Sequence, residues 1–253
     1  MTIKVKHKDG QIETFTISRD KIAVESVNRV PLFGGVLRDS AGEEVKDIGY
    51  FRIRSFSRTT PQEVEKTLKE INSSGVKGLI IDVRSNPGGL LQETIQITDM
   101  FLDSGQIFFQ QDRSGRETGA IARSGMLTNL PIVILQDEFS ASGAELLAGA
   151  LQENGRAKVI GARSYGKGTV NHARDLSNGG AVYVSIGRWL TPKRNQIEGK
   201  GIIPDIEVTM TLAEIEARKD IPAQFAVDLL RGKTPPPRPV ATATPTATAT
   251  PRR

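Results

Sequence analysis

Apolar positions along the chain change period repeatedly, and each change marks an element. Residues 2–6 (Thr-Ile-Lys-Val-Lys) and 12–18 (Ile-Glu-Thr-Phe-Thr-Ile-Ser) alternate apolar with polar around Asp9-Gly10. Such alternation across a favoured tight turn predicts a β-hairpin. Two strands cannot bury both of their faces, so this hairpin needs further strands or a larger body to rest on. Residues 21–47, with Pro31 and the Gly34-Gly35 pair, carry no period and predict an extended connector.

Beyond the connector the pattern becomes that of a layered α/β protein. Residues 48–56 form an apolar strand, and Thr59-Thr60-Pro61 opens a helix in which Val64, Leu68 and Ile71 share a face until Ser73-Ser74-Gly75 stops it. Residues 76–83 (Val-Lys-Gly-Leu-Ile-Ile-Asp-Val) read as a strand buried on both faces, completing a βαβ unit. Next come Arg84-Ser85-Asn86-Pro87-Gly88-Gly89 and a second helix carried by Leu90, Leu91, Ile95, Ile97, Met100, Phe101 and Leu102. Paired glycines just past a buried strand allow either a tight turn or close approach of a ligand to the backbone. Residues 105–125 predict a strand and a polar hairpin.

The stretch 131–170 is the centre of the pattern: strand, small-residue turn (Phe139-Ser140-Ala141-Ser142-Gly143-Ala144), amphipathic helix, a strand over 157–161, and a glycine-flanked lysine in Tyr165-Gly166-Lys167-Gly168. A long strand at 180–190, a loop and short strand at 199–208, and two helices over 211–219 and 223–230 follow. From residue 233 onward the Pro/Thr/Ala tract has no periodicity and predicts a disordered or extended tail.

Composition narrows the chemistry. The 253 residues, 38% of them hydrophobic, suffice for one large or two small globular units. The net charge of +5 includes three arginines of the terminal tract, and the other basic residues form no stripe interleaved with aromatics, so no nucleic-acid partner is expected. Without cysteine there is no thiol nucleophile, disulfide or cysteine-bound metal, and two histidines, His7 and His172, make a histidine metal site an unpromising expectation. No cofactor is expected. The opening residues lack a signal-peptide pattern, and no apolar run is long enough to span a bilayer.

Residues 161–167 satisfy G-x-x-x-x-G-K after a strand, yet Gly168 stands where a phosphate-binding loop needs Ser or Thr for Mg²⁺, and no helix pattern follows. A different chemistry suits Ser142 and Lys167, 25 residues apart. Serine at a helix start has its hydroxyl near free N–H donors, and a neutral lysine can take its proton. A lysine ordinarily titrates near ~10.4, so the base role calls for burial or a neighbouring cation, and Tyr165 and Val170 suggest a partly apolar setting. Ser142 could equally be a helix N-cap, a role that puts its hydroxyl in the same place.

Four ordered motifs, 78–91, 139–152, 161–170 and 199–205, together resemble the carboxyl-terminal processing (tail-specific) serine proteases of peptidase family S41, over about residues 1–208. The resemblance implies a ClpP/crotonase-like spiral core of ββα units, with Ser142 as nucleophile, Lys167 as general base and the Gly88 and Gly143 N–H groups as oxyanion hole. The family often carries glutamine four residues after the lysine; here Asn171 takes that place, one methylene shorter. Gly143-Ala144 stands where Ala-Ser is more usual. His172 has no acid at a motif position to orient it.

By the same resemblance residues 1–20 are the last strands of a PDZ domain, 21–47 a connector, 48–232 the protease core and 233–253 a tail. The peptide-docking strand and carboxylate-binding loop of a PDZ domain would then precede Met1. The implied partners are polypeptides with accessible C-termini, and the implied location is the cell envelope. The alternatives are a weakly active or non-catalytic peptide-binding remnant, or an acyl-CoA enzyme on a related core, which would not need the Ser142/Lys167 pair.

Overall fold

The computed structural model describes residues 1–18 and 25–233; the end of the expected hairpin segment, part of the connector and most of the expected tail lie outside the described residues. A six-stranded sheet forms the centre. In chain order its members are β3 (Val27–Asn28), β4 (Ile48–Ile53), β5 (Gly78–Asp82), β8 (Ile132–Gln136), β9 (Ala157–Gly161) and β12 (Ile206–Glu207). They lie in the order β12-β9-β8-β5-β4-β3, all parallel except the β3–β4 pair. Parallel strands need long crossovers, which the helices supply. These are α1 (Thr60–Ser73), α2 (Leu91–Asp99) and α3 (Gly143–Glu153).

The near-continuous apolar runs of β5 and β8 follow from burial on both faces. Leu79, Ile81 and Ile134 join the core formed with α1, α2 and α3, while Ile80, Val133 and Leu135 point the other way, into a second cluster with Ala223, Ala226 and Val227. Those three belong to α5 (Ile221–Leu230), which follows the short α4 (Leu212–Glu216). The far end of α5 is held by Arg231, bonded to Asp39 and Asp47 of the connector. The sheet is therefore sandwiched, and the connector closes its second face.

Two smaller sheets complete the structure. β1 (Thr2–Lys6) and β2 (Ile12–Thr16) form the expected hairpin as a separate, largely exposed sheet. A four-stranded antiparallel sheet runs β10-β11-β6-β7, comprising β6 (Gln106–Asp112), β7 (Glu117–Ile121), β10 (Thr169–Asp175) and β11 (Ala181–Leu190). Only the last four residues of β11 pair with β6. The rest pairs with β10 alone, as a ribbon whose residues 171–186 are all exposed. Among the described residues, no helix is long and apolar enough to cross a membrane.

Candidate active site

Three adjacent parallel strands, β5, β8 and β9, end on one side of the sheet, and the segment after each carries one of the sequence motifs. Loops beyond the carboxyl ends of parallel strands are the usual place for a site on such a sheet. The first two are laced together. Ser140 Oγ donates to the Val83 carbonyl at 2.9 Å, Ala141 N–H to the Asn86 carbonyl at 2.9 Å, and Ser85 N–H to Asp137 Oδ1 at 2.8 Å.

Ser142 stands at the N-cap of α3 with φ +54° and ψ −111°. Left-handed φ is uncommon for a residue with a Cβ and is tolerated where the surroundings over-determine it. Here the surroundings include Glu145, the third helical residue, which is fully buried. Its Oε2 accepts Ser142 N–H at 2.8 Å and Lys167 N–H at 2.9 Å, and its Oε1 accepts Ser164 Oγ and Gly166 N–H, both at 2.6 Å. One carboxylate thus ties the serine turn to the lysine loop.

The lysine loop has a second tie, Tyr165 N–H to the Ser140 carbonyl at 3.0 Å. Its far side rests on the 199–202 motif: Ile202 N–H donates to Ser164 Oγ at 2.6 Å and Gly199 N–H to the Gly166 carbonyl at 2.9 Å. Gly168 N–H donates to Glu198 Oε2 at 2.7 Å. The Lys167 side chain is exposed, in contrast to the partly apolar setting expected for it, because the contacts of this loop are made by its backbone. Strand β10, rather than a helix, follows the loop, which removes the phosphate-loop alternative.

Gly88, at φ +97°, lies against the serine turn: a Cβ built on it would sit 2.7 Å from Ser142 Cβ and 2.9 Å from Gly143 N. Only glycine meets both demands, the left-handed φ and the close approach. Gly143 begins α3, so its N–H is among those with no partner inside the helix. The Gly88 N–H is engaged, donating to Asn86 Oδ1 at 2.8 Å, while Asn86 Nδ2 donates to the Ile53 carbonyl at 2.9 Å. Asn171 sits on β10 with its Oδ1 accepting Ser185 Oγ at 2.7 Å across the ribbon, and no hydrogen bond joins it to Lys167 among the described residues. His172 is its exposed neighbour on the same strand.

Beneath the Gly88 turn lies a buried charge cluster. Arg84 is 3% exposed and Asp82 not at all, with Arg84 Nη2 2.6 Å from Asp82 Oδ2. Burial pushes the Asp82 carboxyl up, but the Arg84 charge and the hydrogen bonds from Arg84 and Tyr50 outweigh it and hold it below its usual value. Burial likewise acts to lower Arg84, and the two flanking carboxylates, Asp82 and Asp220, more than reverse it. Burial, then the Asp82 charge, raise the Tyr50 phenol, which stays a neutral donor to Asp82 Oδ2 at 2.7 Å.

A family model, peptidase family S41, matches residues 47–208. The chain belongs to peptidase family S41. It is 35% identical over 223 residues to the carboxyl-terminal-processing protease of a Synechocystis strain, covering 87% of this chain and 50% of that protein. It is 38% identical to the carboxy-terminal processing protease CtpB of Bacillus subtilis, covering 81% and 44%. This S41 chain spans about half the length of the curated relatives it matches. Among solved structures, a photosystem II D1 C-terminal processing protease aligns with TM-score 0.63 and 28% identity, over 82% of this chain and 54% of that one. Mature CPAF complexed with lactacystin aligns with TM-score 0.66 over 92% and 68%, and at 14% identity it shares the fold alone.

Sequence reasoning did not single out Glu145 and Asn86, which brace the Ser142 and Gly88 turns, or Asp220, which lies beyond the family-matched residues and holds Arg84. Glu145 did carry a local signal, a Ser-x-x-Glu box at the start of an apolar helix. Asn86 and Asp220 carried none that separates them from ordinary turn and cap residues.

Proposed function

We propose that this S41 core is a serine endopeptidase that cleaves polypeptides near their C-termini with a Ser142/Lys167 dyad. The observation that carries the proposal is Glu145, whose single carboxylate accepts N–H groups from both Ser142 and Lys167 and so keeps nucleophile and base on neighbouring backbones. Ser142 Oγ attacks the scissile carbonyl carbon as its proton passes to Lys167 Nζ. The oxyanion is met by Gly143 N–H and by Gly88 N–H, the latter exchanging its Asn86 partner for the substrate oxygen. Collapse breaks the C–N bond, Lys167 returns the proton to the leaving amine, and water then hydrolyses the acyl-serine by the reverse sequence.

The finer features belong to the same proposal. The core is of the ClpP/crotonase-like spiral type, and the β1–β2 hairpin, with its bordering residues 1–20, corresponds to the last strands of a PDZ domain, supported by its separation from the other sheets. Residues 21–47 are its connector, 48–232 the protease core and 233–253 a tail. A second reading, a weakly active peptide-binding remnant, draws on the Asn171–Ser185 bond, which turns the expected lysine-orienting amide to another partner.

Hydrolysis of an unstructured casein-like substrate separates the two. The dyad predicts cleavage by wild type and losses on the order of 10³-fold or more in both Ser142→Ala and Lys167→Ala. Equal cleavage by all three proteins would eliminate the dyad, and no cleavage by wild type would favour the remnant.

A further inference from the structure

The C-terminal helix reaches the proposed oxyanion turn through one residue. Asp220, the N-cap of α5, lies 136 residues from Arg84 and outside the segment matched by the family model. Its two carboxylate oxygens accept from the two ends of one guanidinium, Oδ1 from Nη1 at 2.7 Å and Oδ2 from Nη2 at 2.8 Å. Asp82 grips the other edge, accepting Nε at 3.0 Å and Nη2 at 2.6 Å. The pair of clamps leaves Arg84 in one orientation, as bidentate carboxylate contacts do.

The two clamps do different work. Asp82 is the last residue of β5 and lies two residues before Arg84 in the chain, so its grip sets the side chain against its own backbone. Asp220 comes from α5, packed on the second face of the sheet, and fixes that side chain relative to the rest of the molecule. The Arg84 carbonyl is held as well, by Arg52 Nη2 at 2.9 Å. From there the chain runs through Ser85, at φ +56°, to Asn86 and Gly88, the glycine packed on Ser142.

The geometry points to Asp220 as a positioning residue for the oxyanion turn, acting through Arg84 on the placement of Gly88. This rests on the proposal that Gly88 is an oxyanion donor. It assigns a functional part to α5, which otherwise serves as cover for the second face of the sheet. The docking of α5 has its own supports, Arg231 at the far end and the apolar residues Ala223, Ala226 and Val227, so positioning and docking are separable.

The test uses Asp220→Asn, which keeps an N-cap acceptor and removes the charge. Steady-state hydrolysis is measured with inhibition by a peptide boronic acid, whose tetrahedral boronate oxygen occupies the oxyanion site. Binding of an uncleaved peptide is measured on a Ser142→Ala background. The expected result is a fall in kcat on the order of 10- to 100-fold, a matching rise in boronate Ki, and KM and peptide Kd within about 2-fold of the parent. Arg231→Ala, which loosens α5 without touching Arg84, should leave the boronate Ki unchanged. An unaltered Ki in Asp220→Asn, or an equal rise in Arg231→Ala, overturns the inference. Should Asp220→Asn fail to fold, Asp220→Glu, with its carboxylate displaced by a methylene, is judged by the same Ki, which must rise. A wild type that neither hydrolyses peptide nor binds the boronate defeats the protease proposal instead, whereas an active wild type matched by Asp220→Asn defeats this inference alone.

Discussion

Four donors converge on the Glu145 carboxylate, which has no exposed surface of its own. A buried carboxylate is costly unless its oxygens are fully engaged, and here each oxygen has two donors. Glutamine at 145 would keep the size while replacing one acceptor oxygen with an NH₂ that faces other N–H groups. Glu145→Gln is therefore expected to lower stability by about 3 kcal/mol, on the order of 6–12 °C in thermal midpoint, and kcat/KM by about 10²-fold or more. Thermal melts and steady-state kinetics on one preparation check both, and wild-type kinetics in this variant would remove Glu145 from the account. Ser142 belongs to the same scale. Its left-handed backbone is held between the Glu145 carboxylate and the Gly88 backbone, so a substitution at either position is expected to disturb the proposed nucleophile.

Elements with strong periodicity were legible from sequence alone. Val64, Leu68 and Ile71 marked α1, whose bounds differ from expectation by a residue, and the apolar 76–83 run marked a central strand, which spans Gly78–Asp82. Short elements were not: β3 has only two residues, and its pairing with β4 across the connector comes from the partner rather than from its own pattern. The 211–219 helix is shorter than its composition suggested, ending at Glu216 before Arg218 turns to φ +55°. The motif glycines, Ser142 and Lys167 each sit in a local signature, whereas the exposure of Lys167 and the Asn171–Ser185 bond depend on how β10 leaves the lysine loop, which no local pattern records. The β10–β11 ribbon makes a prediction of its own. Its residues 171–186 are exposed on both faces, so their amides should exchange with solvent several orders of magnitude faster than those of β5, β8 and β9. Exchange followed by mass spectrometry decides this, and equal protection of ribbon and central strands would mean that something covers the ribbon.

At the scale of the whole molecule, a sheet covered on both faces brings three strand ends together and leaves their loops to carry the chemistry. One face is supplied by the crossover helices between the strands. The other comes from α5 and the connector, joined through Arg231 to Asp39 and Asp47. The second sheet grows directly from the lysine loop, since β10 begins two residues after Lys167. The central claim is that Ser142 is a nucleophile activated by Lys167, and covalent labelling tests it most directly. A fluorophosphonate reacts with an activated serine hydroxyl and not with ordinary ones. Peptide mapping of the labelled protein should find the adduct on Ser142 alone in wild type, with labelling reduced on the order of 10³-fold in folded Lys167→Ala. An adduct on another serine, or equal labelling of Ser142 without Lys167, would contradict the account.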